Sequence, residues 1–335
     1  MVGTDRKHAA GPVRYAQTML AALALWHADI AFWGYRLNGL GEPGAWSDLL
    51  TGHAAAPFQY RMGAVLTAHW LSVALHLKLP LVLAALTAAC TVITAWALLH
   101  VLTRTTVYRE ADTSTQWLGA ATLTLLVAWP LGWLQYQLAP ETLPAAMCLA
   151  LMLWLWTPSA APRILWRVVA LMSLTLALAT LRADLACLVN ACIFLFVLAD
   201  QRARLALPRR AALLTSALAA IVAAAFQLWL MRVVYPKATY GGVKLFQLWP
   251  NLHHGSRWPP FILFLIPTAW LALQLRRHHF ADDASLALAT AAALYFLLWI
   301  TFGKIDEVRI FVPFALTLAP LTAQALMLRA ARSAR

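Results

Sequence analysis

A chain of 335 residues that is 62% hydrophobic, with a mean hydropathy of +0.69, is too apolar for a soluble globule of this size. Only 12% of the residues are charged. The net charge of +13 sits in short segments between apolar runs, which points to membrane topology rather than to nucleic acid.

Apolar runs of about 17 to 25 residues recur from Val13 to Leu328, long enough to span a bilayer as helices, and no barrel-like alternation is present. The fold class expected is therefore all-α, a polytopic transmembrane helix bundle. Residues 1–335 read as one integral membrane domain, because no linker, repeat or low-complexity tract divides them. Cys90, Cys148, Cys187 and Cys192 all fall in apolar runs, so they read as packing residues, with neither a disulfide framework nor a metal site expected.

In chain order, basic Met1 to Arg14 leads into a first span over Val13 to Gly34 and reads as a retained signal anchor. A polar loop with Glu42, Asp48 and His53 follows, then Pro57-Phe58-Gln59-Tyr60-Arg61 and an amphipathic stretch to Leu77. If that stretch crossed the membrane, Arg104, Arg109, Arg163, Arg167, Arg202, Arg204, Arg209, Arg210, Arg276 and Arg277 would all lie outside, against the positive-inside bias. It is therefore expected to be a juxtamembrane or re-entrant helix on the outer face. Further spans are expected over Leu79 to Leu102, Trp117 to Trp133, Leu143 to Trp156, Leu165 to Leu181, Leu185 to Leu198, Ala211 to Val234, Phe261 to Leu275, Leu286 to Thr301 and Ile310 to Leu328. That makes about ten spans with both termini cytoplasmic. One face then carries a plain basic excess and the other carries mixed, nearly balanced charge.

The chemistry-bearing residues gather on the mixed face. Asp29 lies more than a turn inside the first span, where an ionisable group is costly without a partner or a polar cavity. Asp48 is a loop acid. Arg61, beside Phe58, Gln59 and Tyr60 at a helix start, suits a phosphate through its planar bidentate donors. Gln135, Gln137 and Glu141 stand on a Pro-bounded loop and suit hydroxyl recognition, while Arg182-Ala183-Asp184 reads as a local ion pair joining two helices. The segment from Tyr235 to Pro260, with Lys237, Tyr240, Gly241, Gly242, Lys244 and Arg257, suits a flap over a phosphate or sugar. Its adjacent His253 and His254 make a poor metal site. Finally, Lys304, Asp306, Glu307 and Arg309 stand together between two apolar runs.

This layout resembles the GT-C superfamily of integral-membrane glycosyltransferases. Pro57-Phe58-Gln59-Tyr60-Arg61 and Glu307-Val308-Arg309-Ile310-Phe311-Val312-Pro313 look like the PFxYR and ExRxFxP signatures of bacterial membrane proteins grouped loosely with it. The resemblance implies a polyprenyl-phosphate-linked sugar as donor and an acidic base in the first outer loop, a role that falls on Asp29 or Asp48. The paired acids that several members carry there are missing. The expectation is an inverting, cofactor-independent transfer to a glycan, lipid or protein acceptor on the periplasmic side of a bacterial inner membrane. Arg61, Lys304, Arg309, Lys237 and Arg257 would meet the donor phosphate. Gln59, Tyr60, Gln137, Glu141, Asp306 and Glu307 would line the substrate site. A transporter or flippase for an anionic lipid or solute, a polysaccharide polymerase or ligase, and a scaffold in envelope assembly are the other readings.

Overall fold

The computed structural model describes residues 5–38, 44, 46–56, 58–134, 138–158, 164–238, 246–277 and 282–333, the side chains of 5–10 and 275–277 excepted. These residues fold into helices with no strand among them. The order is α1 (Asp5–Leu37), α2 (Ser47–Leu50), α3 (Gly63–Leu75), α4 (Leu79–Arg104), α5 (Thr106–Arg109), α6 (Thr113–Leu134), α7 (Thr142–Trp156) and α8 (Ile164–Ala199). There follow α9 (Arg209–Trp229), α10 (Leu248–His253), α11 (Trp258–Arg277), α12 (Asp283–Phe302), α13 (Val312–Thr317) and α14 (Ala319–Ser333). Among the described residues, five helices are long and apolar enough to cross a membrane: α4, α6, α8, α9 with its π-helical extension to Val234, and α12.

The 36 residues of α8 would make a rod of about 54 Å, well beyond the roughly 30 Å hydrocarbon core of a bilayer. They do not form one. Arg182 leaves helical geometry at φ −153°, ψ 81°, and the side chain of Asn190 donates to Thr175 Oγ1 at 3.2 Å. In an unbroken helix those two residues would stand about 22 Å apart. The chain therefore doubles back at Arg182 into two antiparallel helices, where the sequence expects two spans and a tight connection.

The direction of each pass follows from such contacts. Trp96 and Arg104 near the end of α4 meet Trp154 near the end of α7, and Trp154 meets Trp166 at the start of α8. Ala206 donates its N–H to the Trp156 carbonyl, and Arg204 donates its backbone N–H to Asp283 at the start of α12. One end of the bundle thus gathers Arg104, Trp156, Arg167, Ala206 and Asp283. The turn at Arg182, the start of α7 and the end of α12 lie at the other end.

Helix α3 keeps both its ends at that second end. A Cβ on Gly63 would stand 2.2 Å from Thr180 Oγ1, beside the Arg182 turn, so glycine lets α3 approach the hairpin. Its far end connects through three residues, with His76 in the left-handed region at φ 53°, to the start of α4. In between, Ala68 packs with Ala31, Tyr35, Val82 and Leu83. The helix lies across the bundle end, and it is apolar where the sequence reading expected an amphipathic helix.

The last apolar run, expected as one span from Ile310 to Leu328, is helical from Val312 onward with an interruption at Leu318, where the angles stay right-handed helical and Leu318 still bonds Phe314 and Thr322. It opens with a 3-10 turn at Val308–Ile310 and continues as α13 and α14. Pro320, two residues past the interruption at Leu318, has no N–H to give and crowds the preceding turn. It is tolerated in the first turn of a new helix.

The core centres on α7, which packs against α4, α8 and α13 with Leu149, Met152, Leu153 and Trp156 fully buried. At 15 residues α7 is only about 22 Å long, so its start is recessed among longer neighbours. All four cysteines are unbridged thiols, three buried and Cys187 half-buried.

Candidate functional site

The recess at the start of α7 collects charged residues from distant parts of the chain. Arg61, leading into α3, has its guanidinium 3.9 Å from the Glu141 carboxylate, and the two side chains are 12% and 11% exposed. Arg182 at the hairpin turn is 3% exposed and grips Asp184 with two donors, Nε at 3.0 Å and an Nη nitrogen at 2.6 Å. Tyr295 of α12 donates its hydroxyl to the same carboxylate at 3.0 Å and also meets Arg182 directly. Trp299 stacks on Tyr295, and the guanidinium carbon of Arg182 lies 5.8 Å from each ring centroid, within cation–π range. Asp184 itself is 42% exposed, so this buried assembly presents one open carboxylate edge.

Arg61 also feels Arg182, Asp184, Glu141 and Tyr295. Burial first, and the like charge of Arg182 second, push its pKa below the ordinary guanidinium value, while Asp184 and Glu141 pull it back up. Burial and a like charge in its surroundings both favour an anion beside Arg61. Tyr35 at the end of α1 lies within electrostatic reach of both Glu141 and Arg309. Arg309 lies 3.7 Å from Glu307.

A second knot holds this wall in place. Asn251, fully buried on α10, donates to the carbonyls of Ile300 and Gly303 at 2.9 and 2.8 Å and accepts from Arg257 at 3.1 Å. Its own carbonyl takes the Trp258 indole N–H at 2.8 Å. Arg257 reaches Asp306 at 3.9 Å. Gly303 is required by contact: a Cβ there would stand 1.9 Å from the Trp299 indole, which donates to the Lys304 carbonyl at 3.0 Å.

The expected site residues therefore fall into groups. Arg61, Glu141, Glu307 and Arg309 converge, with Asp306 and Arg257 beside them. Lys304 and Lys237 are exposed on the same end, and Lys237 adjoins Ala238, whose carbonyl accepts the Tyr60 hydroxyl at 3.1 Å. Gln59 does not present its amide to a ligand, because that group accepts from Ala54 N–H and donates to the Leu49 carbonyl. It ties α2, and so Asp48, beside the Arg61 segment. Asp48 and Asp29 are both exposed, and among the described residues neither side chain makes a hydrogen bond or ion pair with the charged recess. Arg257 is anchored through Asn251. Pro57, Gln135, Gln137, Tyr240, Gly241, Gly242 and Lys244 lie outside the described residues.

Tyr35, Tyr295, Trp299 and Asn251 escape sequence reasoning, as does the wider partnership of Arg182 and Asp184. The available signal is a hydroxyl or amide inside an otherwise apolar run, such as Tyr295 in AAALYFLLWI, which has no periodicity of its own. No group of three or more metal-ligating side chains occurs among the described residues. No protein-family model matches the chain, and comparison with curated proteins and with solved structures finds no match in either.

Proposed function

We propose that the chain is a multi-pass membrane glycosyltransferase that moves one sugar from a polyprenyl-phosphate donor to an acceptor hydroxyl at the recessed end of the bundle. In this reading the chain crosses about ten times with α3 along the outer face, that face is the periplasmic side of a bacterial inner membrane, and both termini are cytoplasmic. One observation carries it: Arg61, Glu141, Arg182 and Arg309, from four separate segments, converge in a half-buried recess at a single end. A transferase needs one such mouth. A transporter needs polar groups along the depth of its path.

Arg61 and Arg309 would hold the donor phosphate, with Arg182 adding positive field behind Arg61, so that charge developing on the leaving phosphate is stabilised in a site that excludes water. Glu141 would take the proton of the acceptor hydroxyl. The hydroxyl oxygen then bonds to the anomeric carbon as the bond to the phosphate oxygen breaks, leaving polyprenyl phosphate and an inverted centre. The family resemblance puts the base at Asp29 or Asp48. Of these, Asp48 stays beside the recess through Gln59, and among the described residues Asp29 makes no side-chain hydrogen bond or ion pair with it.

The test is transfer from a radiolabelled polyprenyl-phosphate sugar in proteoliposomes. Arg61→Ala, Arg309→Ala and Glu141→Gln are each expected to lose about a hundredfold or more in rate. Asp29→Asn is expected to remain near wild type. Normal turnover in both arginine variants removes the phosphate site, and a Glu141→Gln enzyme that works while Asp48→Asn does not moves the base to Asp48.

A further inference from the structure

The basic end of the bundle carries a groove lined by rings that none of the roles above uses. Trp96, His100 and Arg104 follow one another at intervals of four on α4, so they form a single stripe about 12 Å long on one face of the helix. Trp96 lies 4.6 Å from His100 and 5.4 Å from Trp154 of α7, measured between ring centroids. Trp154 meets Trp166, at the start of α8, edge-on at 6.3 Å. Helix α7 packs against both α4 and α8, and its Trp154 is partly buried while Trp96 and Trp166 are 42% and 52% exposed. Trp154 is thus the floor of the groove, with α4 and α8 as its walls.

The two ends of the stripe differ in polarity. Val92, one turn deeper than Trp96, is exposed, as are Leu165 and Val169 on the opposite wall. In helices long and apolar enough to cross a membrane, such a surface meets hydrocarbon. Arg104 closes the other end as the last residue of α4, its guanidinium carbon 5.6 Å from the Trp154 ring centroid. A ring takes the face of a guanidinium and leaves the N–H donors of its edge to other acceptors. No carboxylate among the described residues supplies them. The acids of this end are committed elsewhere, since Asp112, Asp200, Asp282 and Asp283 each accept from a backbone N–H. A phosphate group would need only the shallow end of the groove. A cation above a strip of indoles that continues into apolar side chains matches a phosphate with a hydrocarbon chain below it, and basic pockets between membrane helices favour anionic headgroups.

We propose that this groove binds one anionic phospholipid from the leaflet at the basic end, with its headgroup phosphate on Arg104 and an acyl chain laid along Trp96, Trp154 and Trp166. The site stands at the opposite end of the bundle from the recess and does not rest on the transferase reading. Interfacial tryptophan and arginine also anchor helices without selecting a lipid. The site differs from such a belt in making one headgroup preferred at one place.

Native mass spectrometry of the full chain in mild detergent, titrated with phosphatidylglycerol or with phosphatidylcholine, decides it. Wild type is expected to hold one phosphatidylglycerol about fivefold or more tighter than phosphatidylcholine, and Arg104→Gln to lose that preference, the effect of about one basic side chain at an anionic lipid surface. Arg202→Gln removes the same charge from an exposed position at the same end and is expected to keep the preference. Equal loss in the two variants, or equal retention of the two lipids by wild type, overturns the site and leaves only the general field of the basic end. Trp166→Leu changes an exposed ring, so the fold survives it even if Arg104→Gln does not fold. It is expected to weaken phosphatidylglycerol retention severalfold, and unchanged retention overturns the path of the chain along the indoles. Displacement of the lipid by millimolar inorganic phosphate overturns the lipid as occupant and assigns the site to a free anion.

Discussion

The two ends of the bundle use the same residue types for opposite purposes. At the basic end, acids serve the backbone: Asp112 accepts from Thr115 N–H, Asp200 from Arg202 N–H and Asp282 from Ser285 N–H, each at the start of a helix or turn. The arginines there serve carbonyls and rings, with Arg167 on Ala206, Arg209 on Leu198 and Arg104 over Trp154. At the recessed end, charges face one another. The ion pairs Arg61–Glu141, Arg182–Asp184, Arg257–Asp306 and Arg309–Glu307 all stand there, with the cation of each less than a fifth exposed. Charges that finish helices are cheap because water still reaches them. Pairs enclosed in a bundle carry a desolvation cost that packing alone does not repay, which is why the recess reads as a place where something binds.

The sharpest way to break this comparison is to ask whether the two ends lie in two compartments. Single cysteines at Ser47 and Lys304 are expected to react with an impermeant maleimide from one side of sealed vesicles, and cysteines at Ser114 and Arg202 only from the other. All four positions are exposed, and three of the four native cysteines are buried. The outcome is all or none at each position. Labelling of Ser47 and Lys304 from opposite sides would abolish the recess as a single mouth.

The second test weighs the recess against the hairpin that carries it. Arg182→Ala leaves Asp184 and Tyr295 without their shared donor. Breaking a wholly buried pair costs about 3–5 kcal/mol, and the 42% exposure of Asp184 lowers the expectation here to about 2–3 kcal/mol. Thermal unfolding in detergent checks it, with Arg167→Ala at the basic end expected to shift the midpoint less. Gly303→Ala should cost about 1–3 kcal/mol through the clash with Trp299, and it should open the Trp299 to Lys304 hydrogen bond. Indole fluorescence then reports the displaced ring separately from the loss of stability.

Legibility differed between the same two ends for a physical reason. Apolar runs and basic loops made the helical class, the Arg182 turn and the placement of α3 readable, because those depend on periodicity and on the cost of placing charge across a bilayer. The convergence of Arg61, Glu141 and Arg309 was half readable, since each stands at the edge of an apolar run. Tyr295, Tyr35 and Asn251 were not, because one polar atom in an apolar helix changes neither its hydropathy nor its period, and its partners lie far off in sequence, about fifty residues for Asn251 and over a hundred for Tyr295. The amide of Gln59 misled for the converse reason. Beside an arginine it looks like a ligand-binding group, yet two backbone groups of the preceding turn consume it. The interruption at Leu318 was carried by Pro320, which reads as unremarkable inside a long apolar run.

The smallest effect is the one that best isolates the division of labour. Asp282 caps α12 with one carboxylate oxygen on Ser285 N–H at 2.9 Å and the other on the Ser285 hydroxyl at 2.8 Å. Asp282→Ala is expected to cost about 1 kcal/mol, as an ordinary cap does. Helix α12 runs from this cap to Tyr295 and Trp299, so the same helix that supports the recess is secured at its far end by an acid with no part in binding. If the ends are separate in function, the variant lowers the unfolding midpoint slightly and leaves sugar transfer per folded molecule unchanged. If transfer falls further than stability does, the cap is setting the height of Tyr295 against Arg182, and the basic end contributes to the site through the length of α12.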